Sequence, residues 1–456
     1  MKRLILVFLV SFAVFLLFSI VFVQVETNAL TESKKSALVN TLSHAQLGLG
    51  AFHFFENITG TDYYNEGGTS QALITLSVLD MLSHVDVDKA VTYLASRQDN
   101  NSGGFGAFYG YDGTLLGFDL RFTYDVVHAL KVLNSLDRIN TTAVVNFVLA
   151  RYNHSIGAFG ELLTEAYGKK YAMSRFVLGF RTWNAEMAYA IPNVITTYLS
   201  VSILADLEML RLINETKTFE WLMSCQASNG AFQPYPMASP TYLPGWSSLI
   251  TNPFDVDRYG TGVPYTFAAV EALKNLGRLS DLDSSDRERI RQYLLSSQAV
   301  NGNFYIHPDY ERLQLAYTYY AVTTLSDIGT LKETEDGVLK AVSHLQQVQL
   351  LAVDNSFPLP QTSYAYGLFH DTSTDPLEDT TYAVAILNVT SNLALLDQPT
   401  PKTLQTWPNL LIISALVAGS VASSSFIFAR LKKRRQNREQ NEASKTENSE
   451  TVQTTT

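Results

Sequence analysis

Two kinds of amphipathic helix alternate along residues 27–400. One kind has apolar residues at three- and four-residue spacing with charges between them, as in the run around Arg287 and Glu288. A helix of this kind buries one face and leaves the other in water. The other kind is apolar over most of its circumference, as in residues 267–276. The pattern therefore predicts an outer layer of mixed helices around an inner layer of apolar helices.

The two kinds of helix form a unit that recurs six times. Each unit has an outer helix ending in Leu-x-x-x-Gln, a glycine turn, a phenylalanine, and an inner helix that begins with threonine and an aromatic residue. The turns read Leu42, Gln46, Gly50, Phe52; Leu94, Gln98, Gly104, Phe105; Val148, Tyr152, Gly157, Phe159; Leu222, Gln226, Gly230, Phe232; Leu294, Gln298, Gly302, Phe304; and Leu345, Gln349, Phe357. The inner helices begin at Thr69-Ser70, Thr123-Tyr124, Thr197-Tyr198, Thr266-Phe267, Thr318-Tyr319 and Thr381-Tyr382.

A repeat of this kind predicts the architecture. Each copy can bury its inner face only against its neighbours, so the copies stack as a solenoid. A solenoid with open ends needs polar capping repeats, and none is visible at either end of residues 27–400. We therefore predict an all-α fold, an (α/α)6 toroid of twelve helices in which the six copies close into a ring.

Both ends of the chain carry a hydrophobic segment. Residues 4–23 are apolar after Lys2 and Arg3, and residues 410–429 are apolar before a basic cluster that begins at Arg430. About 20 residues at about 1.5 Å each just cross a hydrocarbon core. We predict a signal anchor in residues 1–26, with a cleaved signal peptide as the alternative, and a transmembrane helix at 410–430. Positive charge outside both spans predicts cytoplasmic termini and a toroid on the extracytoplasmic side of the cell membrane.

The remaining segments follow from this topology. Residues 401–409 are a linker, and residues 431–456 are a basic and then polar tail that we expect to be disordered in the cytoplasm. Sequons in the toroid make glycosylation candidates of Asn57, Asn100, Asn140, Asn153 and Asn214. A sixth sequon, at Asn388, lies inside a predicted inner helix and is left out.

Composition narrows the partners. The net charge is -10, and the only basic cluster lies in the tail, so nucleic acid is excluded as a partner. The predicted partners are the membrane and a lipid, peptide or glycan ligand. The single cysteine, Cys225, excludes a disulfide framework and a thiol cage for a metal. No metal and no cofactor is predicted.

The runs "RQDNNSGGFGAF" and "CQASNGAF", each followed by an inner helix with Thr and an aromatic residue, resemble the repeats of the prenyltransferase and squalene-cyclase α/α-toroid superfamily. They are most similar to the β-subunit form of protein prenyltransferases. The resemblance covers residues 27–400 and implies the toroid fold. It implies activity much less, because toroids of this superfamily serve as prenyltransferases, terpenoid cyclases and non-enzymatic domains.

The residues that carry activity in such proteins are mostly absent. An Asp-x-Cys zinc pair has no counterpart, because Met223 stands where the Asp would be and Cys225 precedes Gln226 on an outer helix. The thioester run of complement-type toroids is also missing. The nearest match to the Asp-x-Asp-Asp motif of cyclases is Asp255-Val256-Asp257-Arg258. The resemblance therefore leaves Asp255 and Asp257 as the catalytic candidates.

Two groups of residues are candidates for binding. Two connections, roughly 160–190 and 233–262, are longer than usual and carry Arg181, Trp183, Trp246 and Arg258. The aromatic residues at the starts of the inner helices form the second group, Tyr124, Tyr198, Phe267, Tyr319 and Tyr382. Their rings could stack on a lipid or isoprenoid chain, with ordinary packing between inner helices as the alternative.

Three functions remain open at this stage. The first is a membrane-anchored extracytoplasmic toroid whose central cavity binds a lipid, isoprenoid, peptide or glycan without zinc. The second is a metal-independent enzyme, either terpenoid cyclase-like or transferase-like, or acting on glycans. The third is a structural surface or adhesion protein.

Overall fold

The computed structural model describes residues 33–54, 63–64, 66–109, 115–160, 192–236, 262–308, 310–313, 315–349, 368–369 and 376–399. The chain divides at residue 400 into two units, and all the described residues belong to the first. No helix in these ranges has the length and apolar character needed to cross a membrane. The two predicted spans, 4–23 and 410–429, lie outside them.

Outer and inner helices alternate along the described residues. The outer helices are α1 (Lys34–Ala45), α3 (Val87–Ser96), α5 (Thr141–Leu149), α7 (Glu215–Ser224), α9 (Ser284–Ser296) and α11 (Glu335–Val348). The inner helices are α2 (Glu66–Val78), α4 (Leu120–Val132), α6 (Val194–Asp206), α8 (Val263–Asn275), α10 (Leu315–Asp327) and α12 (Pro376–Val389). A short 3-10 turn follows each inner helix, at Leu82–His84, Leu136–Arg138, Leu210–Leu212, Leu279–Asp281, Leu331–Thr334 and Leu393–Asp397.

Short antiparallel strands, which the repeat did not predict, join several outer helices to the next inner helix. Strand β1 (His53–Phe54) pairs with β2 (Tyr63–Tyr64), β3 (Phe105–Tyr109) with β4 (Leu115–Asp119), β5 (Tyr152–Asn153) with β6 (Ala158–Phe159), and β7 (Tyr305–His307) with β8 (Tyr310–Leu313). They satisfy backbone groups of the connections, which would otherwise have to bond to water.

The inner helices form a closed ring. Each contacts the next one along the chain, and α12 contacts α2 to complete the circle. At this closure Thr75 Oγ1 and Thr381 Oγ1 are 3.1 Å apart. The outer layer meets as well, because Lys34 N donates to Gln398 O at 2.9 Å. The predicted toroid of twelve helices is therefore confirmed.

The division into inner and outer layers follows from burial. Helix α6 is buried at Val194 and throughout residues 196–204, so nearly its whole circumference is covered. On α9 only Ile290, Tyr293 and Leu294 are buried, so that helix turns one stripe to the core and its charges to water. This difference is the one that the sequence pattern predicts.

A phenylalanine and a threonine latch each turn to its inner helix. The phenylalanine ring is at most 1% exposed, the threonine is fully buried, and the phenylalanine N–H donates to the threonine hydroxyl. The pairs are Phe52–Thr69, Phe105–Thr123, Phe159–Thr197, Phe232–Thr266, Phe304–Thr318 and Phe369–Thr380, with N···Oγ1 distances of 2.9–3.1 Å. Full burial of one such ring stabilises the fold by about 1.5–3 kcal/mol.

The sixth latch differs from the sequence prediction. Phe369 takes the role assigned to Phe357, which lies outside the described residues, and Thr380 takes the role assigned to Thr381. The segment between the glutamine and the phenylalanine is longer in this copy than in the others, so spacing alone selects the wrong phenylalanine. Gln349 fixes the register, because it forms a β-bridge with Phe369 as Gln46 does with Phe52.

The recurring glutamine joins the first repeat to the second and the second repeat to the third. Gln98 Nε2 donates to Gly103 O at 3.1 Å within its own turn and to Asn140 O at 3.0 Å at the start of α5. Asn140 N donates back to Gln98 Oε1 at 2.8 Å. Gln46 makes the same pair of bonds with Asp86, each 2.8 Å long. The glutamine therefore bonds to its own turn and, through the bonds to the next outer helix, links one repeat to the next.

The third repeat has no glutamine at this position, but it is still hydrogen-bonded to the next outer helix. Tyr152 stands in that position, and its hydroxyl accepts a hydrogen bond from Asn214 N, 3.0 Å away at the start of α7. In the last copy, Gln349 Nε2 donates to Lys34 O at 3.5 Å. This contact joins the sixth repeat to the first outer helix.

Two details of the turns and helix starts correct the sequence reading. The left-handed glycine of the second turn is Gly103, with φ of 81°, instead of Gly104. Helices α5 and α9 are capped by Asn140 and Asp283, although the nearby Thr141 and Ser285 are also residue types that favour this position. Asparagine and aspartate are at least as good as threonine and serine at this position, so residue type alone did not distinguish neighbours.

Candidate functional site

Six aromatic side chains form a continuous arc on the inner ring. The aromatic arc consists of Tyr124, Tyr198, Phe267, Tyr319, Tyr320 and Tyr382, from five successive inner helices. Ring centroids are 5.7 Å apart for Tyr124 and Tyr198 and 5.6 Å for Tyr198 and Phe267. They are 5.6 Å apart for Phe267 and Tyr319 and 5.3 Å for Tyr319 and Tyr382. The structure thus brings together all five aromatic candidates chosen from the sequence.

The threonine latches position these rings. Each latch fixes the first turn of its inner helix, and the residue after the threonine is Tyr124, Tyr198, Phe267 or Tyr319 in four copies. Tyr382 follows Thr380 by two residues, and so does Tyr320 relative to Thr318. Tyr320, which the sequence reading missed, stacks on Phe267 with centroids 4.6 Å apart. The tandem Tyr319-Tyr320 was the available signal for it.

The tyrosine hydroxyls of the arc bond to one another. Tyr198 OH donates to Tyr124 OH at 3.1 Å, and the hydroxyls of Tyr320 and Tyr382 are 3.4 Å apart. Tyr382 OH also donates to Glu378 Oε1 at 2.8 Å. Burial raises the pKa of Tyr198, Tyr319 and Tyr382 well above the usual value, so the phenols stay neutral.

An ion pair crosses the one gap in the arc. Helix α2 has Ser70 and Gln71 at the two positions from which the other inner helices supply their aromatic residues. Arg121 of α4 pairs with Glu378 of α12 across this gap, with Nη2 and Oε1 2.5 Å apart. Counted from the latch threonine, Gly67 occupies the same helix position as Arg121 and Glu378. A glycine there has no side chain to block the pair.

Two further carboxyl groups lie beside Arg121. Asp119 caps α4 by accepting from Arg121 N at 2.5 Å and Phe122 N at 3.1 Å. Burial raises the pKa of Asp125 to about 7, with Arg121 opposing the rise and Glu378 and Asp119 adding to it. Asp125 is therefore a carboxyl group that holds a proton and can release it near neutral pH.

A polar belt lies toward the C-terminal halves of the inner helices. It consists of His128, Asp206, Glu271, Lys274 and Asp327. Lys274 Nζ is 3.2 Å from Glu271 Oε1 and 2.9 Å from Asp327 Oδ1. His128 Nδ1 is 3.0 Å from Asp206 Oδ2, and its ring stacks on Tyr124 at 5.5 Å.

Burial and mutual repulsion decide the charge of the belt. Burial raises the pKa of Glu271 to about 8, a hydrogen bond with Asp327 adds to the rise, and Lys274 opposes it. Burial alone would lower the pKa of Lys274, but the two carboxylates outweigh it and raise that pKa. The belt therefore contains a carboxyl group that is largely protonated at neutral pH beside a lysine that is charged.

Several predicted site residues lie outside the described ranges. They are Arg181, Trp183, Trp246, Asp255, Asp257, Arg258 and the sequon Asn57. The other four sequon asparagines, Asn100, Asn140, Asn153 and Asn214, are exposed. Cys225 is 1% exposed and lies at the end of an outer helix, as expected of a small buried residue. Within the described ranges no three His, Cys, Asp or Glu side chains are grouped as metal ligands.

A closed ring of six helical hairpins around an aromatic centre defines an α/α-toroid. The prenyltransferase α-α toroid domain model matches residues 3–173, 164–241 and 258–403 of this chain. The chain therefore belongs to the prenyltransferase α-α toroid family, as the resemblance of its repeats implied. No curated protein is similar enough to this chain to count as a relative.

Solved structures with this fold include a cyclase and a transferase. The apo type II terpene cyclase MstE from Scytonema is 14% identical over 80% of this chain and 98% of its own, with a TM-score of 0.48. Protein geranylgeranyltransferase-I from Candida albicans, complexed with GGPP, is 15% identical over 73% of this chain and 86% of its own, with a TM-score of 0.49. At these identities and TM-scores, we draw neither substrate nor mechanism from them.

Proposed function

We propose that this chain binds an elongated, largely apolar ligand of the lipid or isoprenoid kind against the aromatic arc. The observation that carries the proposal is the continuity of six aromatic rings across five inner helices. Small-molecule sites are lined mainly by apolar and aromatic side chains with a few polar groups that fix orientation. The arc supplies the aromatic lining. The tyrosine hydroxyls, Arg121 and Glu378 supply the polar groups.

Burial distinguishes the arc from rings that only pack. The six latch phenylalanines are at most 1% exposed. Four of the arc rings, Tyr124, Tyr319, Tyr320 and Tyr382, keep part of their surface accessible. Rings whose only task is to fill the core have no need of accessible surface. The arc favours a lipid or isoprenoid over a peptide or glycan, because the latter two require many hydrogen-bonding groups and the arc offers mostly ring faces.

A metal-independent enzyme is the second candidate, and Asp125 favours it. The side chain of Asp125 adjoins Arg121 near the arc, and burial raises its pKa to about 7. A carboxylic acid that is protonated near neutral pH can protonate a carbon–carbon double bond or a leaving group of a bound isoprenoid. Asp125 is therefore the candidate acid among the described residues, whereas Asp255 and Asp257 lie outside them.

We also propose that the toroid is anchored at a membrane and lies on its extracytoplasmic side. The support is in the sequence, in the apolar segments 4–23 and 410–429 and the basic residues beyond each of them. A membrane would supply an apolar ligand directly. Cleavage of the toroid by an external protease in sealed cells, with the tail of residues 431–456 protected, is the result that this topology predicts.

Binding of a neutral C20 isoprenoid alcohol to the full chain in detergent tests the main proposal. We expect Phe267→Leu and Tyr319→Ala to weaken binding about tenfold, because each removes an aromatic face from the arc. Phe219→Ala is the matched control, since Phe219 lies on the outer helix α7 beneath Arg278. Thermal unfolding must show that every variant is folded. Unchanged affinity in the folded arc variants would reject the proposal.

Product analysis separates the enzyme from the binding protein. The full chain is incubated with neutral C15, C20 and C30 isoprenoids, and extracts are analysed by gas chromatography with mass spectrometry. Cyclised or isomerised products that disappear in Asp125→Asn would establish the enzyme. Recovery of unchanged ligand by both proteins, with ligand bound to both, would leave the binding function.

A further inference from the structure

The ion pair of Arg121 and Glu378 adjoins the aromatic arc. Arg121 Nη2 lies 2.5 Å from Glu378 Oε1, and Tyr382 OH, which belongs to the arc, donates to the same oxygen at 2.8 Å. Arg121 stands three residues before Tyr124, and Glu378 stands four residues before Tyr382. The pair therefore lies about 5 Å nearer the start of the inner helices than the rings do. A ligand on the arc can place its polar end at this pair.

Both members of the pair can contact a ligand. The side chain of Arg121 is 55% exposed and that of Glu378 is 24% exposed, although both residues lie on inner helices. Within the described part of the chain, the guanidinium donates a hydrogen bond only to Glu378. A guanidinium has five N–H donors and a carboxylate has about four acceptor positions. Each member therefore retains the capacity to bond to one more group.

The pair is balanced in charge, and the two neighbouring carboxyl groups do not change this. Asp119 caps α4, and burial raises the pKa of Asp125 to about 7, so that Asp125 is mostly protonated at pH 6. A diphosphate would compete with Glu378 for Arg121, and an ammonium group would compete with Arg121 for Glu378. Either charged group leaves one member of the pair without its counter-ion, which costs free energy where water is scarce.

We propose that the ligand of the aromatic arc has a neutral hydroxyl group at its polar end, held by Arg121 and Glu378, and that this ion pair selects against charged ends of either sign. The inference rests on the proposed binding function, because it requires a ligand at the arc. A hydroxyl group accepts a hydrogen bond from Arg121 and donates one to Glu378. It therefore joins the pair without separating the two charges.

Helix α2 offers space and a further polar group beside the pair. Gly67 has no side chain at the helix position of Arg121 and Glu378, and Ser70 stands where four other inner helices carry a ring of the arc. Ser70 is fully buried, and among the described residues its Oγ has no hydrogen-bond partner. A buried hydroxyl without a partner costs stability. A ligand hydroxyl in the gap can accept from Ser70 as well as from Arg121.

Three probes with the same C20 chain test the inference. Geranylgeraniol, geranylgeranylamine and geranylgeranyl diphosphate differ only at the polar end, and each is titrated calorimetrically into the full chain in detergent at pH 6. We expect the alcohol to bind at least about tenfold more tightly than either charged probe. Equal affinities, or tighter binding of a charged probe, would overturn the inference and leave the proposed binding function intact. Absence of binding by all three probes would overturn both.

Two single variants assign the selection to the ion pair. Glu378→Gln leaves Arg121 without its carboxylate, so we expect the affinity for the diphosphate relative to the alcohol to rise about tenfold. Arg121→Gln leaves Glu378 without its guanidinium, so we expect the affinity for the amine relative to the alcohol to rise about tenfold. If the aromatic rings merely exclude charge, neither ratio changes. Unchanged ratios in the folded variants would overturn the role of the pair.

Control variants come from the outer helix α9. Glu288 pairs there with Arg291, and Arg289 pairs with Asp286. We expect Glu288→Gln and Arg289→Gln to keep the wild-type order of the three probes, because neither residue belongs to an inner helix. Thermal unfolding shows which variants are folded. The wild-type comparison decides the inference even if one variant of the pair fails to fold.

Discussion

At the scale of single residues, the turns after the first five outer helices each depend on a glycine that approaches the next outer helix closely. Gly302 has φ of 92°, and a Cβ built on it would lie 2.3 Å from Ala341 N. Gly50, Gly103, Gly157 and Gly230 meet the next outer helix in the same way. The requirement is both conformational and steric, since a side chain would push two repeats apart.

The two requirements can be separated with a matched pair of glycines. Gly277 also has a positive φ, 68°, but nothing lies within 4 Å of its position for a Cβ. We expect Gly277→Ala to cost roughly 1–2 kcal/mol through backbone strain alone. Gly302→Ala should cost roughly 3 kcal/mol or more, because overpacking adds to the strain. Chemical denaturation measures both. Equal losses of stability would show that the close approach is unimportant.

The link between repeats gives a second prediction at this scale. Gln98 makes two hydrogen bonds with the backbone of Asn140 and one with Gly103. We expect Gln98→Ala to destabilise the fold by about 1–2 kcal/mol. Gln292→Ala serves as the control, because the Gln292 side chain bonds only to exposed Glu288, and its loss should stay within about 0.5 kcal/mol. Thermal unfolding compares the two, and similar shifts in Tm would refute a special role for Gln98.

Sequence reasoning reached some of these residues and missed others for identifiable reasons. The glutamine, glycine and phenylalanine recur at fixed spacing, so five of the six turns could be assigned. Tyr152 stands in place of the glutamine, and its phenol hydroxyl accepts the hydrogen bond from the N-cap N–H of the next outer helix. A repeat without glutamine can therefore still be joined to the next repeat. Polar residues on apolar helices, such as Asp125 and Glu271, were visible in the sequence. Their partners were not, since pairing depends on which helices become neighbours in the ring.

At the scale of elements, the inner helices combine apolar faces with carboxyl groups that hold protons near neutral pH. Glu271 lies on α8 and Asp327 on α10, and the two share a proton beside Lys274. Burying them costs stability unless the proton stays bound. The aromatic arc lies on the same inner helices. Protonation of the polar belt and binding of a ligand at the arc therefore both involve these helices.

The raised pKa of Glu271 predicts a pH dependence of stability. The folded state holds this proton with a pKa of about 8, whereas the unfolded chain holds it with a pKa of about 4.3. The associated stability is therefore full below pH about 4, and it falls as the pH rises toward 8. Asp125 acts in the same direction up to about 7. We expect a loss on the order of 2 kcal/mol between pH 5 and pH 9.

Glu271→Gln tests the origin of this dependence. Glutamine cannot lose the proton, so the variant should lose less stability than the wild type as the pH rises from 5 to 9. Glu288→Gln, on the exposed face of α9, should keep the wild-type slope between these pH values. Denaturant unfolding at a series of pH values gives the slopes. Wild-type behaviour in Glu271→Gln would mean that another group sets the dependence.

At the scale of the whole molecule, six hairpins that cannot each bury their own inner face close into one ring. The contact between α12 and α2 and the bond from Lys34 N to Gln398 O join the last repeat to the first. The repeats predicted this closure. In a stack of repeats without polar caps, the apolar faces of the first and last repeats must pack against each other. The site could be predicted only in part, since the ion pair of Arg121 and Glu378 exists only once the ring has closed.

A disulfide across the closure tests the ring most directly. Thr75 Oγ1 and Thr381 Oγ1 are 3.1 Å apart, so cysteines at these positions are within the reach of a disulfide. In a Cys225→Ala background, the account predicts that Thr75→Cys with Thr381→Cys forms an intramolecular disulfide in high yield under mild oxidation, detected by mass spectrometry. The single-cysteine proteins are the controls. Free thiols in the folded double variant after the same oxidation would show that α2 and α12 are not neighbours, which would contradict a closed ring.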